Sequence, residues 1–224
     1  MNPTGTPCAA EVYTVHIPPI GLAGTLCIPA GATALVVFAH GSGSSRLSPR
    51  NLAVAQGLNE QGMATLLFDL LTLEEETDRA NVFDIRLLAE RVVDAVDWIG
   101  REPLTQNLRL GLFGASTGAA AALVAGARLG DQVEAIVSRG GRPDLAGGVL
   151  DQIRTPTLLI VGGLDDVVIE LNEQAFARLR GPKALEIVPG ASHLFPEPGA
   201  LEAVIDHAAR WFQLYLGPES SNPV

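Results

Sequence analysis

Hydrophobic residues along the 224-residue chain fall into two kinds of run, unbroken and periodic, and their alternation predicts the architecture. Ala34-Leu-Val-Val-Phe-Ala39 is apolar throughout, as a strand buried on both faces requires. Comparable runs over residues 64–68, 108–113, 133–138, 157–161 and 184–188 read as further strands. Between them, apolar residues recur at intervals of three and four, which predicts helices over about 48–61, 82–99, 117–129, 145–153, 171–179 and 199–216. The last stops at Gly217-Pro218. Two β-rich runs, 11–17 and 22–28, flank Pro18-Pro19-Ile20-Gly21 and predict an antiparallel hairpin at one edge.

Alternating strands and helices after a hairpin imply an α/β fold, a mainly parallel sheet covered by helices on both faces. The length fits one domain over 1–224, with flexible tails at 1–10 and 218–224. Such sheets place their sites at the carboxyl ends of the strands. Candidate residues are therefore sought just after a strand.

Composition then removes several classes. Apolar residues make up 47% and charged residues 18% of the chain, which excludes disordered and fibrous proteins. The formal net charge of −10 disfavours nucleic acid and anionic membrane, both of which reward basic patches. Cys8 and Cys27 lack the spacing of a metal or redox site and read as unpaired thiols. No basic segment followed by an apolar run opens the chain, and no apolar stretch approaches the ~20 residues that span a bilayer. A cytoplasmic protein is expected.

The chemistry gathers at Gly114-Ala115-Ser116-Thr117-Gly118, between a predicted strand and an Ala-rich helix. In a Gly-x-Ser-x-Gly turn the serine adopts a cramped backbone conformation that lifts its hydroxyl above the sheet. The plain alternative is a glycine-rich connecting turn. Partners for Ser116 decide between the two. Gly162-Gly-Leu-Asp165-Asp166 follows one later strand and offers two carboxylates, one of which could orient a histidine while the other begins the next helix. His193, in Ala191-Ser-His-Leu-Phe195, follows the last strand. His16 lies in the hairpin and His207 on the final helix, where structural or solvated roles are expected.

Nucleophile, acid and base thus occur in that order, each after a different strand. Imidazole would take the hydroxyl proton, and the carboxylate would fix its tautomer. A tetrahedral intermediate also needs donors for its oxygen. The backbone N–H of Thr117 is the expected first, and that of Ser42, in His40-Gly41-Ser42-Gly43, the expected second. His40 would shape this loop and, with Gly41, border the substrate. A phosphate-cradling loop is the competing reading, but neither nucleotide-binding glycine pattern matches here.

These motifs together resemble the α/β-hydrolase superfamily, and within it the small dienelactone hydrolase-like proteins, over about residues 11–216. The resemblance implies an α/β-hydrolase fold and prefers Asp165 to Asp166 as the acid, since Gly-x-x-Asp matches the family's acid position. It also implies no cap domain, because residues 139–153 are too few for one. Dienelactone hydrolases proper use a cysteine nucleophile, whereas position 116 is serine, so lactone specificity does not carry over.

Arg139 and Arg142 flank two glycines after a strand and could hold a substrate carboxylate, or pair with local acids such as Asp144. The acidic loop at 74–80 reads as a solvated rim without metal-ligand spacing. The expectation is a serine hydrolase of small esters or thioesters, with Ser116, Asp165 and His193 catalytic and without cofactor or metal. A small-molecule ester is the expected partner, nucleic acid and membrane are not, and a homodimer is left open. An acyltransferase using the same triad and a non-catalytic binding module are the alternatives.

Overall fold

The structure is a computed structural model that describes residues 10–217. Cys8 and the tails expected at 1–10 and 218–224 lie outside the described residues, apart from Ala10. Eight strands form one sheet: β1 (Glu11–Ile17), β2 (Leu22–Ile28), β3 (Ala34–Ala39), β4 (Ala64–Phe68), β5 (Arg109–Ala115), β6 (Ala135–Arg139), β7 (Thr157–Gly162) and β8 (Lys183–Val188). Their order is β1-β2-β4-β3-β5-β6-β7-β8. β1 pairs antiparallel with β2, and β2 antiparallel with β4, while every later pairing is parallel.

Among the described residues six α-helices connect and cover the sheet: α1 (Pro49–Glu60), α2 (Arg79–Phe83), α3 (Ile85–Ile99), α4 (Thr117–Leu129), α5 (Asp166–Arg178) and α6 (Ala200–Leu216). Alternate residues of the central strands supply two separate cores. Leu35, Val37, Leu112, Ile136 and Leu159 pack with α3 and α4, whereas Val36, Phe38, Phe113, Val137 and Ile160 pack with α1 and α6. This explains the unbroken apolar runs: period-two alternation is hidden when both faces are covered. The Phe38 and Phe113 rings lie 4.8 Å apart on the second face.

The element boundaries differ from expectation at two places that matter. The helix expected over 82–99 is broken, because Asp84 caps α3 through its side chain and Asp78 caps the short α2 before it. The helix expected at 171–179 begins instead at Asp166, with Asp165 as its cap residue. In place of a cap domain, residues 143–152 form a 3-10 segment packed on α4 and α5.

β3 sends its chain to β4 on one side while its other neighbour is β5, so the connections reverse direction between β3 and β5. Ala39 stands opposite Gly114 in that pairing. The loop after β3 and the turn after β5 are thereby brought together at the carboxyl edge, where an open α/β sheet leaves a crevice.

Candidate active site

Ser116 sits between β5 and α4 with φ +51° and ψ −120°, a strained conformation for a residue with a side chain. Two close approaches enforce it. A Cβ on Gly114 would stand 2.4 Å from Ala119 Cα, and one on Gly118 would stand 2.2 Å from the Ala39 carbonyl oxygen. Only glycine fits either position. Backbone bonds hold the serine itself, its N–H donating to the Arg139 carbonyl at 3.2 Å and its carbonyl accepting from Arg142 N–H at 3.1 Å.

His193 Nδ1 lies 2.6 Å from Asp165 Oδ2. Asp165 makes no side-chain capping bond to α5, so its carboxylate is available to the imidazole, while Asp166 becomes the first residue of the helix. The histidine loop carries further supports. Glu197 accepts the Ser192 N–H at 3.1 Å, and that bond holds its carboxyl below the usual range. Phe195 takes φ +55°, unusual for a bulky residue, and buries its ring to 2% exposure in the core beside α6. Gly140, following Arg139, brings the loops together: a Cβ there would lie 3.6 Å from His193 Cε1. The Arg139–Gly140 segment thus bonds the Ser116 backbone and leaves little room beside the His193 loop.

The loop after β3 approaches from the opposite side, with a Cβ on Gly41 falling 3.1 Å from Ser116 Cβ. His40 is a tether in this loop. Its Nε2 accepts the Leu70 N–H at 3.0 Å, so Nδ1 carries the proton and donates to the Gly41 carbonyl at 3.0 Å. Burial lowers its pKa, which favours the neutral ring. With both nitrogens spent on backbone, His40 offers a substrate only its ring surface. Arg46 and Asp69 add a second tether, the carboxylate accepting from the Arg46 N–H at 2.8 Å and from its guanidinium at 2.6 Å. Sequence reasoning passed over Asp69, although an aspartate directly after a buried strand was the available signal.

The oxyanion donors are arranged differently from expectation. The Thr117 N–H opens α4 and has no hydrogen-bond acceptor among the described residues. The Ser42 N–H, however, donates to the Thr117 side-chain oxygen at 2.8 Å. It is engaged within the protein.

The two arginines part company. Arg142 is held by Asp144 in a two-pronged pair at 2.8 and 2.7 Å, so it does not stand free for a substrate carboxylate. Arg139 is 7% exposed and turns towards the start of α1, where Asn51 is 3.4 Å from one nitrogen and two others lack partners. Burial, with repulsion from Arg50, lowers its pKa to about 10. An exposed arginine clamp is therefore not formed.

A cavity of about 570 Å³ adjoins the site on the side of the β3 loop, lined by Gly41, Ser42, Ser45, Arg50, Leu71 and Glu76 among others. Its lining does not include the triad candidates, so it lies beside the serine rather than over it. Within the acidic loop, Glu75 binds Arg91 at 2.7 Å and Glu76 lines this cavity. Among the described residues no cluster of three or more His, Cys, Asp or Glu could hold a metal ion, and no helix is long and apolar enough to cross a membrane.

The pattern of the dienelactone hydrolase family matches residues 22–214. Two curated proteins from strains of Mycobacterium tuberculosis, each named "Putative phosphoribosyl transferase", are 56% identical over 216 residues, or 96% of this chain and 49% of theirs. The chain spans about half the length of the curated relatives it matches. The crystal structure of dienelactone hydrolase from Anabaena variabilis superposes with a TM-score of 0.90 at 55% identity, covering 92% of this chain and 99% of that one. Est1E from Butyrivibrio proteoclasticus gives a TM-score of 0.73 at 17% identity, covering 92% and 97%, a likeness of fold alone.

Proposed function

The chain belongs to the dienelactone hydrolase family of α/β-hydrolases, and from that premise we propose that it is a serine hydrolase of small carboxylic esters or thioesters. The observation that carries this reading is the 2.6 Å contact between His193 and Asp165, at the same sheet edge as the strained Ser116 turn. A connecting turn has no need of such a pair.

In the proposed reaction Ser116 Oγ attacks the carbonyl carbon while His193 Nε2 takes the hydroxyl proton. Asp165 keeps the ring in the tautomer whose Nε2 can accept it and stabilises the imidazolium that results. The carbonyl electron pair moves onto oxygen at the mouth of α4, where the unpaired Thr117 N–H and the helix dipole favour negative charge. Collapse breaks the bond to the leaving alcohol or thiol, which receives the proton from His193. Water then repeats the sequence on the acyl-enzyme, releasing the acid and restoring Ser116.

The adjoining cavity is within the size range of small-ligand pockets and is lined by serines and leucines, which supports a compact, partly polar group on one side of the ester. Lactones join simple esters as substrates to test, since the 55% identical structure is a dienelactone hydrolase. The phosphoribosyl transferase name is not carried over, because it describes chains of which this one spans about half. Turnover of p-nitrophenyl acetate by wild type and Ser116→Ala tests the proposal, as does labelling with a fluorophosphonate probe. Loss of both in the variant is expected. Equal turnover in the two proteins would remove Ser116 as the nucleophile.

A further inference from the structure

We propose that the side-chain hydroxyl of Thr117 is itself a donor to the reacting carbonyl oxygen, oriented for that role by the main-chain N–H of Ser42. The inference rests on the reading of Ser116 as the nucleophile, and it changes what the loop after β3 contributes.

The loop donor expected from sequence is already bonded: Ser42 N–H reaches Thr117 Oγ1 at 2.8 Å. A hydroxyl offers one hydrogen and two lone pairs. Thr117 Oγ1 uses a lone pair on Ser42, and among the described residues its hydrogen has no acceptor. Such a group is uncommon at a residue only 4% exposed, because buried polar groups are as a rule satisfied. The residue is adjacent to the proposed nucleophile and is the first of α4. Its own N–H, on the same residue, also lacks an acceptor. Two unspent donors thus stand together where an ester oxygen would gain negative charge.

The Ser42 bond does two things to this hydroxyl. It selects one of the few χ1 wells open to a β-branched side chain, so the oxygen is held against the β3 loop instead of turning back on the helix. It also polarises the O–H, since a hydroxyl that accepts a hydrogen bond becomes a better donor. During attack the carbonyl electron pair moves onto oxygen, which then accepts from both Thr117 N–H and Thr117 Oγ1–H. On collapse the pair returns and Thr117 has neither gained nor lost a proton. Ser42 acts through Thr117 and is a positioning residue, whereas Thr117 touches the reacting atom.

The opposite arrangement is a hydroxyl that merely occupies the Ser42 N–H until substrate displaces it. Removing the hydroxyl separates the two by sign. The experiment compares wild type, Thr117→Val and Thr117→Ser in pre-steady-state hydrolysis of p-nitrophenyl acetate, with thermal melting as a check on folding. For a donor, Thr117→Val lowers kcat by about 10²-fold, the order found for loss of one oxyanion donor, with KM little changed, and Thr117→Ser restores most of it. If Thr117→Val equals or exceeds wild type in kcat while both show a full acylation burst, the hydroxyl is no donor and the proposal falls. Should the valine variant not fold, Thr117→Ala against Thr117→Ser makes the same comparison. Failure of the underlying reading looks different: wild type would show no burst and Ser116→Ala would retain its turnover.

Discussion

His193 Nδ1 and Asp165 Oδ2 are 2.6 Å apart although the residues are 28 positions apart in sequence, one on the loop after β8 and the other at the start of α5. On the proposed reading, the contact gives the neighbouring carboxylates Asp165 and Asp166 different work. Asp165→Asn is expected to lower kcat by about 10⁴-fold with little effect on thermal stability, because the amide cannot hold the required histidine tautomer. Asp166→Asn, at the first turn of α5, is expected to leave esterase turnover near wild type. Rate measurements on both variants check the assignment, and a larger loss at Asp166 would reverse it.

Phe195 combines a left-handed backbone with a fully buried ring, two features that oppose each other. Removing the ring in Phe195→Ala is expected to cost about 3–5 kcal/mol in urea unfolding. At ordinary positions glycine is worse than alanine. Here Phe195→Gly is expected to be at least as stable as Phe195→Ala, since glycine adopts φ +55° without penalty. Greater loss with glycine would show that no strain resides at this residue.

His40 links stability to pH. Burial holds its folded pKa below the ordinary 6.5, so the unfolded chain binds the proton more readily. Its contribution is therefore intact above pH 6.5 and is lost as pH falls below that value. Melting temperature should drop on acidification from pH 7 towards the folded pKa, and His40→Gln should flatten that part of the curve. A variant whose pH dependence matches wild type would place the acid-sensitive group elsewhere.

The two arginines beside Ser116 yield contrasting expectations. Arg142→Gln breaks a partly exposed pair with Asp144, whose side chains are 40% and 28% accessible, so its effect on stability should stay within about 1 kcal/mol. Arg139 carries a buried charge with no carboxylate partner among the described residues. Arg139→Met keeps most of the bulk, removes that charge and is expected to leave the fold at least as stable as wild type. Chemical denaturation of both variants tests this, and marked destabilisation by methionine would show that the guanidinium has an unseen polar partner.

The sheet was legible because its information is local. Unbroken apolar runs located β3 to β8 to within about two residues, since a doubly covered strand tolerates little else, and β-rich runs around a Pro-Gly turn located β1 and β2. The places of Ser116, Asp165 and His193 at the carboxyl edge were legible because each follows a strand. What sequence could not give depended on contacts between distant segments. Asp84 ends one helix and begins another through a side-chain cap, inside a periodic pattern that looks continuous. Arg142 meets Asp144 only because the chain turns there, and Arg139 is aimed by the strand's alternation towards α1. The engagement of Ser42 with Thr117 joins residues 75 positions apart. The left-handed Phe195 carries no glycine to announce it.

Ser116 follows β5, Asp165 follows β7 and His193 follows β8, with β6 between the first two. Four adjacent strands must consequently be in register before Ser116, Asp165 and His193 are brought to one edge of the sheet. On the proposed reading, ester turnover reports complete assembly: during refolding, helical signal can return with local structure, whereas turnover requires β8 to be paired at the edge of the sheet.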